Sequence, residues 1–285
     1  MKRHTFLKMA LPAMAGPIFG PVAAQGPARI RIGLTPVILA DQAAFLARWS
    51  EYLSKRLGTP VAFVARESYQ GVLDLLFGGQ LEAAWLCGYP YVRHQQHLHL
   101  LAVPHYEGRP LYQAYLIRPR RESTLQGWRD VKGKVLAYSD PLSNSGWLVA
   151  KTQLHAAGLS PRDLKKSFFA HGHRNVAEAV AARLAHAGSI DGYVWETMRQ
   201  QGMAAVEQTE VVWKSELFGF PPIVARLNSR NGKSQALQAV LLAMQNETEG
   251  LGLLKALNLT GFEAGSPSLF SSIAKMAASA EARAT

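Results

Sequence analysis

From Arg29 to Lys214 the chain alternates short apolar runs of strand length with longer segments whose apolar residues recur every three or four positions. That alternation constrains the fold more than any single motif. A-R-I-R-I-G-L-T has the two-residue period of a strand. The next segment aligns Phe45, Trp49, Leu53 and Leu57 on one helical stripe, with Asp41 placed to cap it and Gly58 to end it. The pattern predicts further strands at P-V-A-F-V-A, L-E-A-A-W-L, V-L-A-Y, S-F-F-A, I-D-G-Y-V and V-V-W. It predicts helices at Y-Q-G-V-L-D-L-L-F, from Ser145, and from Asn175 to His186. Strand and helix alternating at this pace imply an α/β fold with a mainly parallel sheet. From Gly232 on, helices dominate and strands are few.

Two extended stretches, near 110–119 and 211–226, read as crossings between lobes. A chain that leaves one lobe, builds a second and returns makes a two-lobed clamp. The expected division is a first lobe from 25–114, a second from 115–215, and a return with the C-terminal helices over 216–285. Open α/β sheets bind ligands at the carboxyl ends of their strands, here facing the cleft.

Residues 1–24 differ from everything after them. Lys2, Arg3 and Lys8 precede a short apolar stretch with three prolines and small residues at Val22 and Ala24. This describes an export signal cut after Ala24, too short to span a bilayer. R-H-T-F-L-K resembles a twin-arginine signal with His4 in place of the second arginine, so both export routes remain open. The expected compartment is the periplasm. The net charge of +11 includes three positive charges in the leader, which leaves +8 for the rest. Scattered Lys and Arg in an exported chain argue against nucleic acid and for an anionic small ligand or a negatively charged membrane surface. Cys87 is the sole cysteine, so it has no internal disulfide partner.

The stretch S-D-P-L-S-N-S-G-W-L-V, 139–149, places hydroxyl and amide side chains and a glycine at the mouth of a helix. Such residues cap the free N–H groups of a first turn, and the same N–H groups and helix dipole can hold an anion. The motif by itself is compatible with either.

Taken in order, four segments resemble the PhnD-type phosphonate, phosphite and phosphate substrate-binding proteins of ABC transporters, which have the type II periplasmic binding fold. They are R-E-S-Y-Q-G-V-L-D-L-L-F-G-G-Q-L-E-A-A-W-L, S-D-P-L-S-N-S-G-W-L-V, A-H-G-H-R-N-V-A-E-A-V-A and V-V-W-K-S-E-L-F-G-F-P-P-I-V, and the resemblance runs from about Arg29 to Leu259. It implies an oxyanion cradle at Ser143, Asn144, Ser145 and Gly146, with Asn144 where the family usually has threonine. It implies a binding tyrosine at Tyr69, and a histidine at His173 that donates to an oxygen or, when charged, pairs with the anion. Ordinary helix-start packing is the alternative for Tyr69 and His173. Pro221 stands where the family often has Asp before Pro-Ile-Val, which disfavours ligands with an amino tail. Cys87 stands where transport members commonly have glycine. The arsenite-sensing AioX branch carries a functional cysteine, so Cys87 reads either as a ligand-contacting thiol or as a small buried packing residue. Glu196 is expected near the cleft, accepting from a protonated oxyanion or from His173.

Other functions fit less well. Ser272 opens a Ser-x-x-Lys match without its companion motifs, and Gly-x-Ser-x-Gly is absent, so the chain reads as a binding protein rather than an enzyme. His94, His97 and His99 lie close together, with His97 and His99 on one face if both are in a strand, yet no Cys or carboxylate stands at ligand spacing beside them. No cofactor or metal is expected, and a monomer is. The expected partners are a transporter permease or the periplasmic domain of a sensor kinase. Trp85, Tyr89, Tyr91, Tyr193 and Trp195 are expected in the core or flanking the cleft.

Overall fold

The computed structural model of the protein describes residues 29–36, 43–229 and 232–282. The expected leader and the Asp41 cap lie outside them. The first lobe opens with β1 (Ile30–Leu34), α1 (Ala43–Leu57), β2 (Val61–Ala65), α2 (Tyr69–Phe77), β3 (Ala83–Trp85), α3 (Gly88–His94) and β4 (Leu98–His105). A short strand, β5 (Leu111–Tyr112), leads out of it. The second lobe follows as β6 (Ala114–Pro119), β7 (Val135–Tyr138), α4 (Val149–Ala156), β8 (Lys166–Phe169), α5 (His173–Ala181), β9 (Ala187–Asp191), α6 (Gly192–Gln200), α7 (Ala204–Glu207) and β10 (Thr209–Lys214). The chain returns through β11 (Phe218–Gly219) to β12 (Ile223–Arg226), α8 (Gly232–Ala243), α9 (Thr248–Ala256), β13 (Gly261–Glu263) and α10 (Ser271–Ala282).

Among the described residues the first sheet has the order β13-β4-β12-β3-β1-β2 and the second β10-β6-β9-β7-β8. In each sheet three neighbouring strands run parallel, and one antiparallel strand sits beside them. That strand is β6 or β12, the one laid down directly after a crossing. The crossings themselves pair as an antiparallel ribbon, with Tyr112 opposite Phe218 and Leu111 opposite Gly219. Two lobes joined by one such ribbon are the type II periplasmic binding architecture, in agreement with the sequence expectation. No helix of the described residues is long and apolar enough to cross a membrane.

The apolar runs mark strands because the inner strands of these sheets are buried on both faces, as the wholly buried β6 and β9 show. Three local expectations are corrected. I-D-G-Y-V is not one strand: β9 stops at Asp191, whose carboxylate accepts from the Val194 N–H (3.3 Å) and so starts α6 at Gly192. A side chain at Gly192 would lie 2.8 Å from the Gln113 carbonyl oxygen, which makes glycine the fitting residue at that break. The helix placed at Asn175 to His186 is α5, beginning two residues earlier and ending at Ala181. Arg183 turns left-handed (φ 60°) just beyond, and the His186 N–H bonds to the Val135 carbonyl (2.8 Å). His97 lies in a tight turn ahead of β4 rather than on the strand with His99.

The ribbon is closely packed. A Cβ at Gly219 would come within 2.6 Å of the Leu269 carbonyl oxygen. Gly219→Ala must therefore shift backbone at the lobe connection, and thermal unfolding should show a loss of about 1–3 kcal/mol, the usual range for overpacking. An unchanged midpoint would mean that the ribbon tolerates displacement.

Candidate functional site: a dry seam between the lobes

The carboxyl ends of β3, β7, β8 and β9 meet at the seam between the lobes. Here the chain buries a cluster of polar side chains: Tyr69 and Cys87 from the first lobe, Tyr112 from the ribbon, and Asp140, Ser143, Asn144, Ser145, His173 and Asp191 from the second, each at most 2% exposed. Buried polar groups need partners, and most of these find them across the seam.

Tyr69 begins α2 with Ser68 as its cap, and its main-chain N–H donates to the Asp140 carboxylate of the opposite lobe (3.2 Å). A carboxylate at a helix N-terminus is placed where the helix dipole favours it. Asp140 also accepts from the Leu142 N–H (2.8 Å), which shapes the loop leading to Ser143. His173 opens α5. Its Nδ1 accepts from the Asp191 main-chain N–H (3.0 Å), so the ring proton sits on Nε2, which faces the Tyr69 hydroxyl oxygen at 3.3 Å. That arrangement leaves the Tyr69 proton available to another acceptor. Burial holds the His173 pKa down to about 3. Of the two roles open to His173 from sequence, neutral donor or charged partner, this favours the neutral donor.

The Ser-Asn-Ser-Gly loop both caps and aims a helix. Ser143 accepts from the Gly146 N–H (2.9 Å), and residues 144–148 form a π turn closed by Leu148 N–H to the Ser143 carbonyl (3.0 Å) before α4 begins. Such turns recur at functional sites. Gly146 is required, since a Cβ there would lie 1.8 Å from the Ser139 hydroxyl. Asn144 spans the seam: its main-chain N–H donates to Cys87 Sγ (3.3 Å) and its amide to the Tyr112 hydroxyl (2.9 Å). Its Oδ1, fully buried, has no partner among the described residues. Ser145 lies 3.5 Å from the Asp191 carboxylate.

Among the described residues no lysine or arginine takes part in this hydrogen-bonded cluster. Burial pushes the Cys87 thiol up to about 11 and the Asp191 carboxyl up to about 7, the latter against the N–H groups of Val194 and Tyr193 and the Ser145 hydroxyl. The seam therefore offers neutral hydroxyl, amide and imidazole donors together with one proton-sharing carboxyl, on a scaffold of converging helix starts.

A family of periplasmic substrate-binding proteins of phosphonate ABC transporters matches residues 32–270. The chain belongs to this family. The phosphate-import protein PhnD of Mycolicibacterium smegmatis is 32% identical over 178 residues, and the match covers 58% of this chain and 56% of that relative's length. The chain thus spans little more than half of it. A binding-protein component of an ABC phosphonate transporter from Pseudomonas aeruginosa has the same fold (TM-score 0.82, 19% identity, 90% of this chain and 87% of that one). So does PhnD1 from Prochlorococcus marinus, solved with methylphosphonate (TM-score 0.79, 17% identity, 88% and 97%).

Within this fold, the structure gathers Tyr69, Cys87, Ser143, Asn144, Ser145, Gly146 and His173 in one seam. Glu196 is placed differently. It accepts from Arg199 Nε (2.7 Å) and from the Tyr115 hydroxyl (3.4 Å), and His173 bonds to the Asp191 backbone in its stead. Three members were missed: Asp140, Asp191 and Tyr112. Asp191 stands at the end of a strand, where α/β sheets place ligand groups, but I-D-G-Y-V reads as continuous strand and hides it. Tyr112 lies in a crossing segment whose side chains no periodicity can assign. The neighbouring aromatics are structural: Trp85 donates to the Pro221 carbonyl (2.8 Å), Tyr91 packs on Phe270, Tyr193 on Tyr106 and Phe220, and Trp195 on Tyr115. Among the described residues no group of three His, Cys, Asp or Glu could hold a metal ion.

The two titrating groups act on stability in opposite directions. His173 falls from 6.5 to about 3 on folding, so its contribution is present above 6.5 and is lost as the pH drops toward 3. Asp191 rises from 3.8 to about 7, so its contribution is present below 3.8 and is lost as the pH rises through 7. Asp191→Asn removes only the second. Its midpoint relative to wild type should rise between pH 4 and pH 8, as followed by thermal unfolding across that range. A constant difference would show that Asp191 titrates normally.

Proposed function

We propose that this protein is the periplasmic receptor of an ABC importer and that its lobes close on a small phosphorus oxyanion carrying or sharing one proton: phosphate, phosphite or a short alkylphosphonate. The reading places the lobes at 25–114, 115–215 and 216–285, hinged at the β5–β11 ribbon, with the leader removed after Ala24 and a monomer as the binding unit. A permease is the partner that would read the closed state.

The observation that carries it is the pairing of neutral donors with the buried Asp191 carboxyl. Ser143, Ser145, Tyr69, Tyr112 and the Nε2–H of His173 can each donate to an oxyanion without bringing a positive charge. Asp191 then requires a proton shared with the ligand, either its own or one on a P–OH group. Sulfate at neutral pH offers no such proton and meets repulsion from the ionised carboxylate. An amino tail finds no acid at Pro221, whose carbonyl is already used by Trp85. Cys87 is read as a packing group that receives the Asn144 N–H. Its protonated, buried thiol is a poor soft-metal ligand, and this weighs against arsenite sensing.

Calorimetric titration at pH 6 and pH 8 tests this. Hydrogen phosphate keeps a P–OH at both values, so its affinity should change little. Fully ionised phosphite and methylphosphonate have no P–OH, so their affinity should fall by up to about tenfold per unit above pH 7. Sulfate should bind far more weakly, and Asp191→Asn should admit it while flattening the pH dependence. Ser143→Ala with Ser145→Ala should weaken the favoured anion by about 3–6 kcal/mol, at about 1.5–3 for each bond to a charged group. Equal affinity for sulfate and phosphate in the wild type would overturn the role given to Asp191. Wild-type affinity in the double serine variant would overturn the site.

A further inference from the structure

The net charge of the second lobe is concentrated at the pole opposite the cleft. β7, β8 and β9 run parallel with their carboxyl ends at the seam, so their amino ends, together with the end of antiparallel β6, form the far pole. The loops there are tied together: Lys165 N–H to the Lys134 carbonyl (2.9 Å), Gly133 N–H to that of Asp163 (2.7 Å), and Arg120 N–H to that of Gln208 (2.9 Å). Segments 118–134, 162–166 and 207–210 with Arg183 carry ten Lys and Arg against five Asp and Glu, whereas the rest of 114–214 carries four of each. The excess is therefore local to the pole.

Four of the five acids at the pole are occupied, and the fifth, Glu207, is exposed. Asp130 accepts from the Gln126 and Gly127 N–H groups, Asp163 from Ser160, Glu122 from Thr124, and Glu210 pairs with the buried Arg118. The cations are not. Arg120, Arg121, Arg129 and Lys132 are exposed, as are Arg162, Lys165, Lys166 and Arg183, and none makes an ion pair among the described residues. Beside Arg183, Leu184 is 68% exposed.

We infer that this pole is a docking face for an anionic phospholipid surface. Flexible cations rise from several separate loops around one exposed apolar side chain. An array of mobile anionic headgroups matches such cations one by one, at about 1 kcal/mol for each Lys or Arg near the surface. Leu184 adds a foothold at the headgroup boundary. The attraction decays over about 8 Å at physiological ionic strength, so it acts only in contact with the membrane. Held this way, the receptor would search for its transporter in two dimensions. The inference depends on export but not on which anion the cleft takes.

Sedimentation with vesicles tests it, using protein purified from the periplasmic fraction. The protein should pellet with vesicles of phosphatidylglycerol mixed with phosphatidylcholine and stay in solution with phosphatidylcholine alone. Binding should fall several-fold as salt is raised from well below to above physiological strength. Lys132→Glu, Lys165→Glu and Lys166→Glu together should abolish it while the thermal midpoint and oxyanion binding are retained. Absence of binding to the anionic vesicles at low salt, or full binding by the folded triple variant, would overturn the inference. Capture by polyglutamate beads without capture by vesicles would do so too, assigning the pole to an acidic protein face.

Discussion

The closed arrangement depends on the hydrogen bonds that leave Tyr69 in two directions. Its main-chain N–H reaches Asp140 and its hydroxyl reaches His173, both in the opposite lobe. Because His173 Nδ1 is already held by the Asp191 backbone, the ring has one tautomer and one orientation, and Tyr69 is oriented with it. These bonds lie out of contact with water, where each polar group left unpaired would cost about 1–3 kcal/mol. The lobes therefore fit together in one register or pay that penalty at several positions at once.

The topology explains why such a register is attainable. In each lobe the strand laid down after a crossing runs antiparallel between parallel neighbours, so both ends of the ribbon are anchored in sheet centres rather than at edges. On the proposed function, motion of the lobes would centre on the few residues of β5 and β11. Gly219 packs too tightly against Leu269 for much freedom there, which favours a hinge over a loose tether.

Most of the fold was legible in the sequence because its helices and strands each bury one face or two, and burial writes itself as period. Phe45, Trp49 and Leu53 are buried as their stripe required, and the V-L-A-Y and V-V-W strands stand where the alternation put them. What failed to show is decided by contacts distant in the chain. I-D-G-Y-V has every local mark of a strand, yet the Asp191 side chain captures the Val194 N–H and the strand stops. The capping role of Ser143 was legible from its neighbours. The engagement of Asn144 with Cys87 and Tyr112 was not, since those partners lie 57 and 32 residues away. His173 could be marked as a site residue, but its neutral state follows only from burial and from the backbone donor it meets.

The distribution of charge completes the physical picture. Anions are commonly held by lysine and arginine, yet among the described residues neither enters the bonded cluster. Attraction at a distance can be left to the overall positive charge, which raises encounter rates without choosing among anions. On the proposed function, choice would be made in the dry seam, where directional neutral donors and the Asp191 carboxyl respond to geometry and protonation rather than to charge alone. A buried guanidinium would bind sulfate as readily as phosphate. On the proposed function, Asp191, fully buried beside Ser145, would make the number of protons on the ligand the discriminating quantity.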